Sequence, residues 1–166
     1  MNYDIIEIDE FSGKGATVYS ILLEGDDETL FDHFVDENKQ NHFEEVKTIV
    51  NRLEIIGKKT GAREHFFKQA EGLPGDGVCA LYDDPESKLR LYCIRYGSVA
   101  ILLGGGGHKP ADIRAWQESE KLTKEAKLII QVSIDIMQRL RDGDAKWSND
   151  GSRLIGNLTF KNDEDE

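Results

Sequence analysis

"GVCALYDDPESKLRLYCIRYGSVAILLGGGGHKP", residues 77–110, decides how this chain folds. Three β-prone runs lie within it, at 77–83, 88–96 and 98–103. "DPES" separates the first two, with Pro85 pre-setting the backbone angle of a turn, and Gly97 supports the second turn. Connections this short return each strand beside its predecessor, so an antiparallel meander is expected. In the middle run, alternation sorts the side chains onto two faces. Leu89, Leu91, Cys93 and Arg95 point one way, with the apolar bias of a core face. Arg90, Tyr92, Ile94 and Tyr96 point the other way. That second face reads equally as a surface offering a guanidinium and two phenols to a ligand, or as an ordinary solvated face.

The four glycines that end the stretch invite a nucleotide-binding reading, which their context rules out. A phosphate-cradling lysine loop needs Gly, four residues, then Gly-Lys-Ser/Thr, the hydroxyl serving Mg²⁺. Here His108 separates Gly107 from Lys109, and Pro110 stands where the hydroxyl is needed. The dinucleotide fingerprint requires a βαβ unit, and these strands are hairpin-linked. Glycines after a strand permit positive φ, a bulge, or close approach of a ligand to the backbone. With His108, Lys109 and Arg114 beside them, they are expected to form the flexible rim of a shallow basic surface.

Upstream, 2–9 and 16–23 read as two strands joined by the turn-rich "EFSGKG". An acidic stretch then opens a helix with Leu30, Phe31, Phe34 and Val35 on one face. A second helix carries the stripe Phe43, Val46, Ile49, Val50, Leu53 and Ile56, and Gly57 is expected to stop it. The two form an antiparallel helical hairpin. Downstream, a long helix spans roughly 119–141, ended by Gly143, and "GNLTF" is a short strand for a sheet edge. The expected fold is α+β: an antiparallel sheet carrying a helical hairpin and a C-terminal helix, extended by an N-terminal β-hairpin. Residues 1–160 are expected as one domain and 161–166 as an acidic tail.

At 166 residues, 39% hydrophobic and 32% charged, the chain has the composition of a globular protein able to bury a core without staples. No apolar run approaches the ~20 residues of a membrane helix. The start, "MNYDIIEIDE", lacks a basic region followed by an apolar core, so a cytoplasmic protein is expected, with no membrane partner. Cys79 and Cys93 sit on adjacent strands and read as buried small hydrophobes, given a reducing compartment. His33, His42, His65 and His108 are scattered and show no metal-ligand spacing, so neither metal nor cofactor is expected. The net charge of −11 argues against nucleic acid at first sight. Its distribution is uneven: residues 1–57 carry −10, residues 115–166 carry −3, and the middle, 58–114, carries +2.

Together, "GDGVCALYD", "KLRLYCIRYG" and "VAILLGGGGHKP", preceded by the basic linker "IGKKTGAREHFFKQAEG", resemble the RelE/HigB/ParE superfamily of toxins from bacterial toxin–antitoxin systems. The resemblance covers roughly residues 42–114. It implies the order strand, helical hairpin, three-stranded meander and basic segment. It also implies a small cytoplasmic endoribonuclease that cuts messenger RNA on the ribosome without metal, the RNA 2′-hydroxyl attacking the phosphate. Carried over by position, Arg90 is the phosphate-stabilising arginine, and Lys109 with His108 stands for the basic pair after the third strand. Tyr96 joins this catalytic set. Lys58, Lys59, Arg63 and Arg114 contact the RNA backbone, and Tyr92 or Tyr96 stacks on a base. The implied partner is a small antitoxin bearing a helix-turn-helix, in a homo- or hetero-oligomer. The sequence departs from the pattern in three ways: "ALYD" lacks the arginine that ends the first meander strand in many members, glycines replace bulkier residues, and the chain is acidic. The alternative is a non-catalytic protein-binding module of the same fold, or a ParE-type toxin acting on a protein target.

Overall fold

The structure is a computed structural model and describes residues 1–69, 71–81, 86–109 and 119–161. The chain opens with strands β1 (Tyr3–Glu7) and β2 (Thr17–Leu23), followed by helices α1 (Leu30–Asn38) and α2 (Phe43–Ile55). A two-residue strand β3 (Phe67–Lys68) leads to the meander β4 (Val78–Leu81), β5 (Leu89–Tyr96) and β6 (Ala100–His108). Helix α3 (Glu120–Asp142) follows, then a small hairpin β7 (Ala145–Trp147) and β8 (Leu154–Gly156), and finally β9 (Thr159–Phe160). Seven strands form one sheet in the order β3-β4-β5-β6-β2-β1-β9. Every pairing is antiparallel except β2 with β6, where Thr17 aligns with Ala100 and Ser20 with Leu103. The α+β architecture is therefore as the sequence predicts, with one parallel junction that hairpin reasoning does not supply.

Local chemistry explains the element ends. Thr29 caps α1 by accepting from the Asp32 amide while the Asp32 carboxylate accepts from the Thr29 amide. Ser119 caps α3, and Gly143, at φ 81°, closes it in the left-handed conformation. Gly57 does not stop the second helix. The chain continues through a wider π turn, Ile56–Thr60, and Gly61 at φ 78° ends it. Gly57 is needed for another reason: a Cβ there would collide with the Phe11 carbonyl.

The sheet is covered on both faces. Phe31, Phe34, Val46, Ile49 and Leu53 of α1 and α2 pack on Leu89, Leu91, Cys93, Ile101 and Leu103. Leu122, Ala126, Ile129, Val132 and Ile136 of α3 pack on Tyr92, Ile94, Ala100 and Leu102. Burial of each such aliphatic side chain is worth about 1.5–3 kcal/mol, which makes α3 an integral layer. It also settles the two-faced middle strand. The face with Arg90, Tyr92 and Ile94 is neither solvated nor open: α3 packs on Tyr92 and Ile94, Tyr92 is fully buried, and Arg90 is 3% exposed. Phe43, expected to begin the buried stripe of α2, is instead 59% exposed.

The glycine run is corrected as well. Gly104 to Gly107 are buried residues of β6, not a rim loop. Leu91 pairs with Gly106 and Cys93 with Leu103, so Tyr92 faces two residues, Gly104 and Gly105, across a β-bulge. The bulge reverses the alternation of side-chain direction. Before it, Ile101 and Leu103 face α1 and α2. After it, a Cβ on Gly105 would strike the Glu125 carboxylate of α3, and one on Gly107 would lie 3.2 Å from Lys121 Cγ. A Cβ on Gly104 would stand 3.0 Å from Ile129 Cδ1. Three of the four glycines thus let the N-terminal half of α3 rest directly on the strand. Asp84 and Pro85 of the "DPES" turn, Arg114, and the acidic tail beyond Lys161 fall outside the described residues.

Candidate functional site

The bulge determines what is exposed at the end of β6. With alternation reversed, His108 emerges on the α2 side of the sheet, solvent-exposed. It meets His42, the residue at the N-cap position of α2, whose side chain makes no capping hydrogen bond. The two imidazoles stack, with ring centroids 5.2 Å apart and planes inclined by 19°. Lys109 follows, half-buried, its amide donating to the Lys88 carbonyl at 2.9 Å and so extending the β5–β6 ladder.

Glu45 ties α2 to this end of the sheet. Its carboxylate accepts from the Lys88 amide at 2.9 and 3.1 Å and from the Leu89 amide at 2.9 Å. Two backbone donors at the start of β5 are thereby satisfied by a charged acceptor, among the stronger protein hydrogen bonds. The consequence is positional: the start of β5 and the first turn of α2 are locked together, which fixes His42 over His108. On the other side of β6, Lys121 of α3 binds Glu125 at 3.0 Å and Glu37 of α1 at 3.5 Å. Partial burial pulls the Lys121 ammonium down, but the hydrogen bond and charge of Glu125, with Glu37, outweigh it and hold the pKa above its ordinary value. Helices from both layers are pinned around the strand end.

The residues singled out by sequence divide between two ends of β5. Arg90, His108 and Lys109 gather at the start of the strand, with Arg90 paired opposite Gly107. Lys58, Lys59 and Arg63 belong to the other end. There the Ala62 amide donates to the Ser98 carbonyl at 2.8 Å, and Arg95 Nε donates to the Ala62 carbonyl at 2.6 Å. Five residues of strand separate Arg90 from Arg95, about 17 Å. At that far end Lys58 Nζ donates to the Ser12 carbonyl at 2.7 Å, Arg63 Nε donates to the Thr60 carbonyl at 3.4 Å, and Lys59 is exposed.

Tyr96 also lies there, its ring 5.2 Å from that of Trp147. Burial pushes its phenol well above the usual range. Tyr92 sits beneath α3, and Arg90 is buried. In this arrangement only His108 and Lys109 of the expected catalytic set stand at an accessible strand end, and the structure adds His42. In the sequence His42 reads as one of four scattered histidines. Its partner is 66 positions away, and the signal that would have paired them, the bulge, depends on strand register.

Among the described residues no group of three or more His, Cys, Asp or Glu side chains converges as metal ligands would, and no helix is long and apolar enough to cross a membrane. A scan against protein-family models and searches of curated proteins and of solved structures returned no match to this chain.

Proposed function

We propose that the chain is a RelE/HigB-like toxin that cuts messenger RNA, with His42 and His108 as its acid–base pair and Lys109 supplying positive charge beside them. The observation that carries the reading is the stacked pair of imidazoles at an accessible strand end, next to a lysine. Histidine is the side chain best suited to give and take protons near neutrality. One imidazole accepts the proton of the RNA 2′-hydroxyl as its oxygen attacks phosphorus. The other protonates the departing 5′-oxygen, leaving a 2′,3′-cyclic phosphate and a free 5′-hydroxyl. Lys109 favours the charge that builds on the phosphate oxygens. Arg90, buried, acts in this reading as a positioning residue behind the strand end.

The order of elements supports the same reading: a strand, a helical hairpin and a three-stranded meander follow one another as the resemblance implies. A small antitoxin would be its neutralising partner, and the cytoplasm its compartment. The test is cleavage of a translated messenger in a reconstituted system, mapped by primer extension. Wild type is expected to cut in phase with the reading frame, and His42→Asn and His108→Asn to lose about 10²- to 10⁴-fold in rate. Wild-type rates in both variants would refute the assignment.

One observation favours the second reading, a module that binds a protein. Ile134 and Met137, three residues apart on α3, are 39% and 38% exposed on the same side of the helix. Growth arrest that survives the histidine changes and fails after Ile134→Glu would select it.

A further inference from the structure

Phe43 is the most exposed large hydrophobic side chain among the described residues, at 59%, and the other exposed ones are all aliphatic or methionine. It is the first residue of α2, bonded directly to His42, whose ring stacks on His108. A phenyl ring exposed to water on the residue that follows His42 has no part in the core. Val46, Ile49 and Leu53 carry α2 into the core, and Phe43, at the edge of that stripe in the first turn, stays outside it. Lys47 stands one turn further along, on the same side as Phe43 and exposed.

We propose that Phe43 is a stacking platform for a nucleobase of single-stranded RNA, adjoining the phosphate that the His42–His108 pair would address, with Lys47 on the neighbouring backbone. The inference rests on the ribonuclease reading for its placement. Every base presents a π-face, so the platform confers affinity for unpaired RNA with little sequence preference, and excludes duplex RNA, whose bases are already stacked. It holds the strand while the imidazoles act, so it contributes to binding and not to proton transfer.

The test is fluorescence anisotropy with a short, labelled, single-stranded 2′-O-methyl RNA, which cannot be cleaved because its 2′-oxygens are blocked. Phe43→Leu is expected to weaken binding roughly 5- to 100-fold, the range for loss of one base–aromatic stack. Phe43→Trp is expected to bind as wild type or tighter. An oligonucleotide of abasic sugars should bind wild type and Phe43→Leu alike. Because the side chain is exposed, thermal melts of the variants should superimpose on wild type.

Equal binding of the normal oligonucleotide by wild type and Phe43→Leu overturns the proposal, as does absence of binding by wild type. Failure of the ribonuclease reading is separable. If His42→Asn and His108→Asn leave cleavage intact while Phe43→Leu loses affinity, the platform stands and the acid–base assignment falls. If the histidine variants lose cleavage and Phe43→Leu binds normally, the reverse holds.

Discussion

Replacing Gly106 with alanine should damage this protein more than the same change at Gly107, one residue away. A Cβ on Gly106 would collide with the carbonyl oxygen of Arg90 and lie 2.8 Å from its carbonyl carbon. Both belong to the backbone of the paired strand, so neither can swing aside without opening the ladder at Leu91–Gly106. Overpacking of this kind costs about 1–3 kcal/mol. Against it stands the ~0.4–1 kcal/mol that Gly→Ala gains by restricting the unfolded chain. A net loss of about 1–2 kcal/mol lowers Tm by roughly 2–8 °C in a chain of this size.

At Gly107 the methyl meets side-chain atoms alone, Lys121 Cγ at 3.2 Å, Lys121 Cε at 3.7 Å and Leu122 Cδ2 at 3.9 Å, which can give by a few tenths of an ångström, and the change should be close to neutral. Gly105→Ala displaces the Glu125 carboxylate, also a movable group, and Gly104→Ala presses on Ile129 Cδ1, so both should fall between. Urea unfolding of the four single variants, compared by midpoint at constant slope, gives the ranking. Four equal midpoints, or Gly106→Ala as stable as Gly107→Ala, would refute the placement of the glycine run inside the sheet.

Two further outcomes follow from the ionisable groups. His33 Nε2 lies 2.6 Å from Asp26 Oδ2, and that hydrogen bond raises the His33 pKa, while Asp26 is lowered first by the Glu28 amide and then by His33. The raised histidine adds stability that is complete below its unfolded value of about 6.5 and vanishes as pH climbs through the raised folded value. The lowered aspartate adds stability that is lost as pH falls through its folded value. The Tm deficit of His33→Gln should therefore be largest near pH 5 and shrink by pH 8.5, and a larger deficit at pH 8.5 would contradict the pairing. Cys79 and Cys93 face each other across β4 and β5 as free thiols, fully buried, and burial pushes the Cys79 thiol up to about 12. Neither should react with a thiol reagent at pH 8 in the native state, and both should react in denaturant; rapid native labelling would show that this face of the sheet opens.

Much of the fold was legible in the sequence because it is written in local periodicity. The period-two runs of the meander and the 3.6-residue stripes of α2 and α3 each name their own element. What escaped was set by contacts between distant segments. The parallel seam of Thr17–Ser20 against Ala100–Leu103 leaves no mark in either strand alone. The two faces of β5 cannot be ranked by residue type, because a tyrosine can end up under a helix when glycines opposite let that helix settle close, and an arginine can be buried beside it.

The same glycines, read locally, looked like a loop, since the sequence shows their permissiveness and not the Ile129 and Glu125 side chains that fill the space. The candidate site was legible in part: His108 and Lys109 were found from their place after an aliphatic strand. His42 was not, because only a bulge three residues back turns His108 toward α2. Lys58, Lys59 and Arg63 belong to the site only through the resemblance of their segment to a basic linker, and the Ala62–Ser98 and Arg95–Ala62 hydrogen bonds hold them at the opposite end.

The most direct measurement is single-turnover cleavage of a translated messenger by wild type, His42→Asn, His108→Asn and the double variant, each shown to be folded by its thermal melt. Two imidazoles acting as one acid–base unit predict that each single change removes most of the activity and that the double change costs little more than either alone. Cleavage that survives in either single variant, or losses that simply multiply in the double variant, would contradict the pair as the catalytic centre.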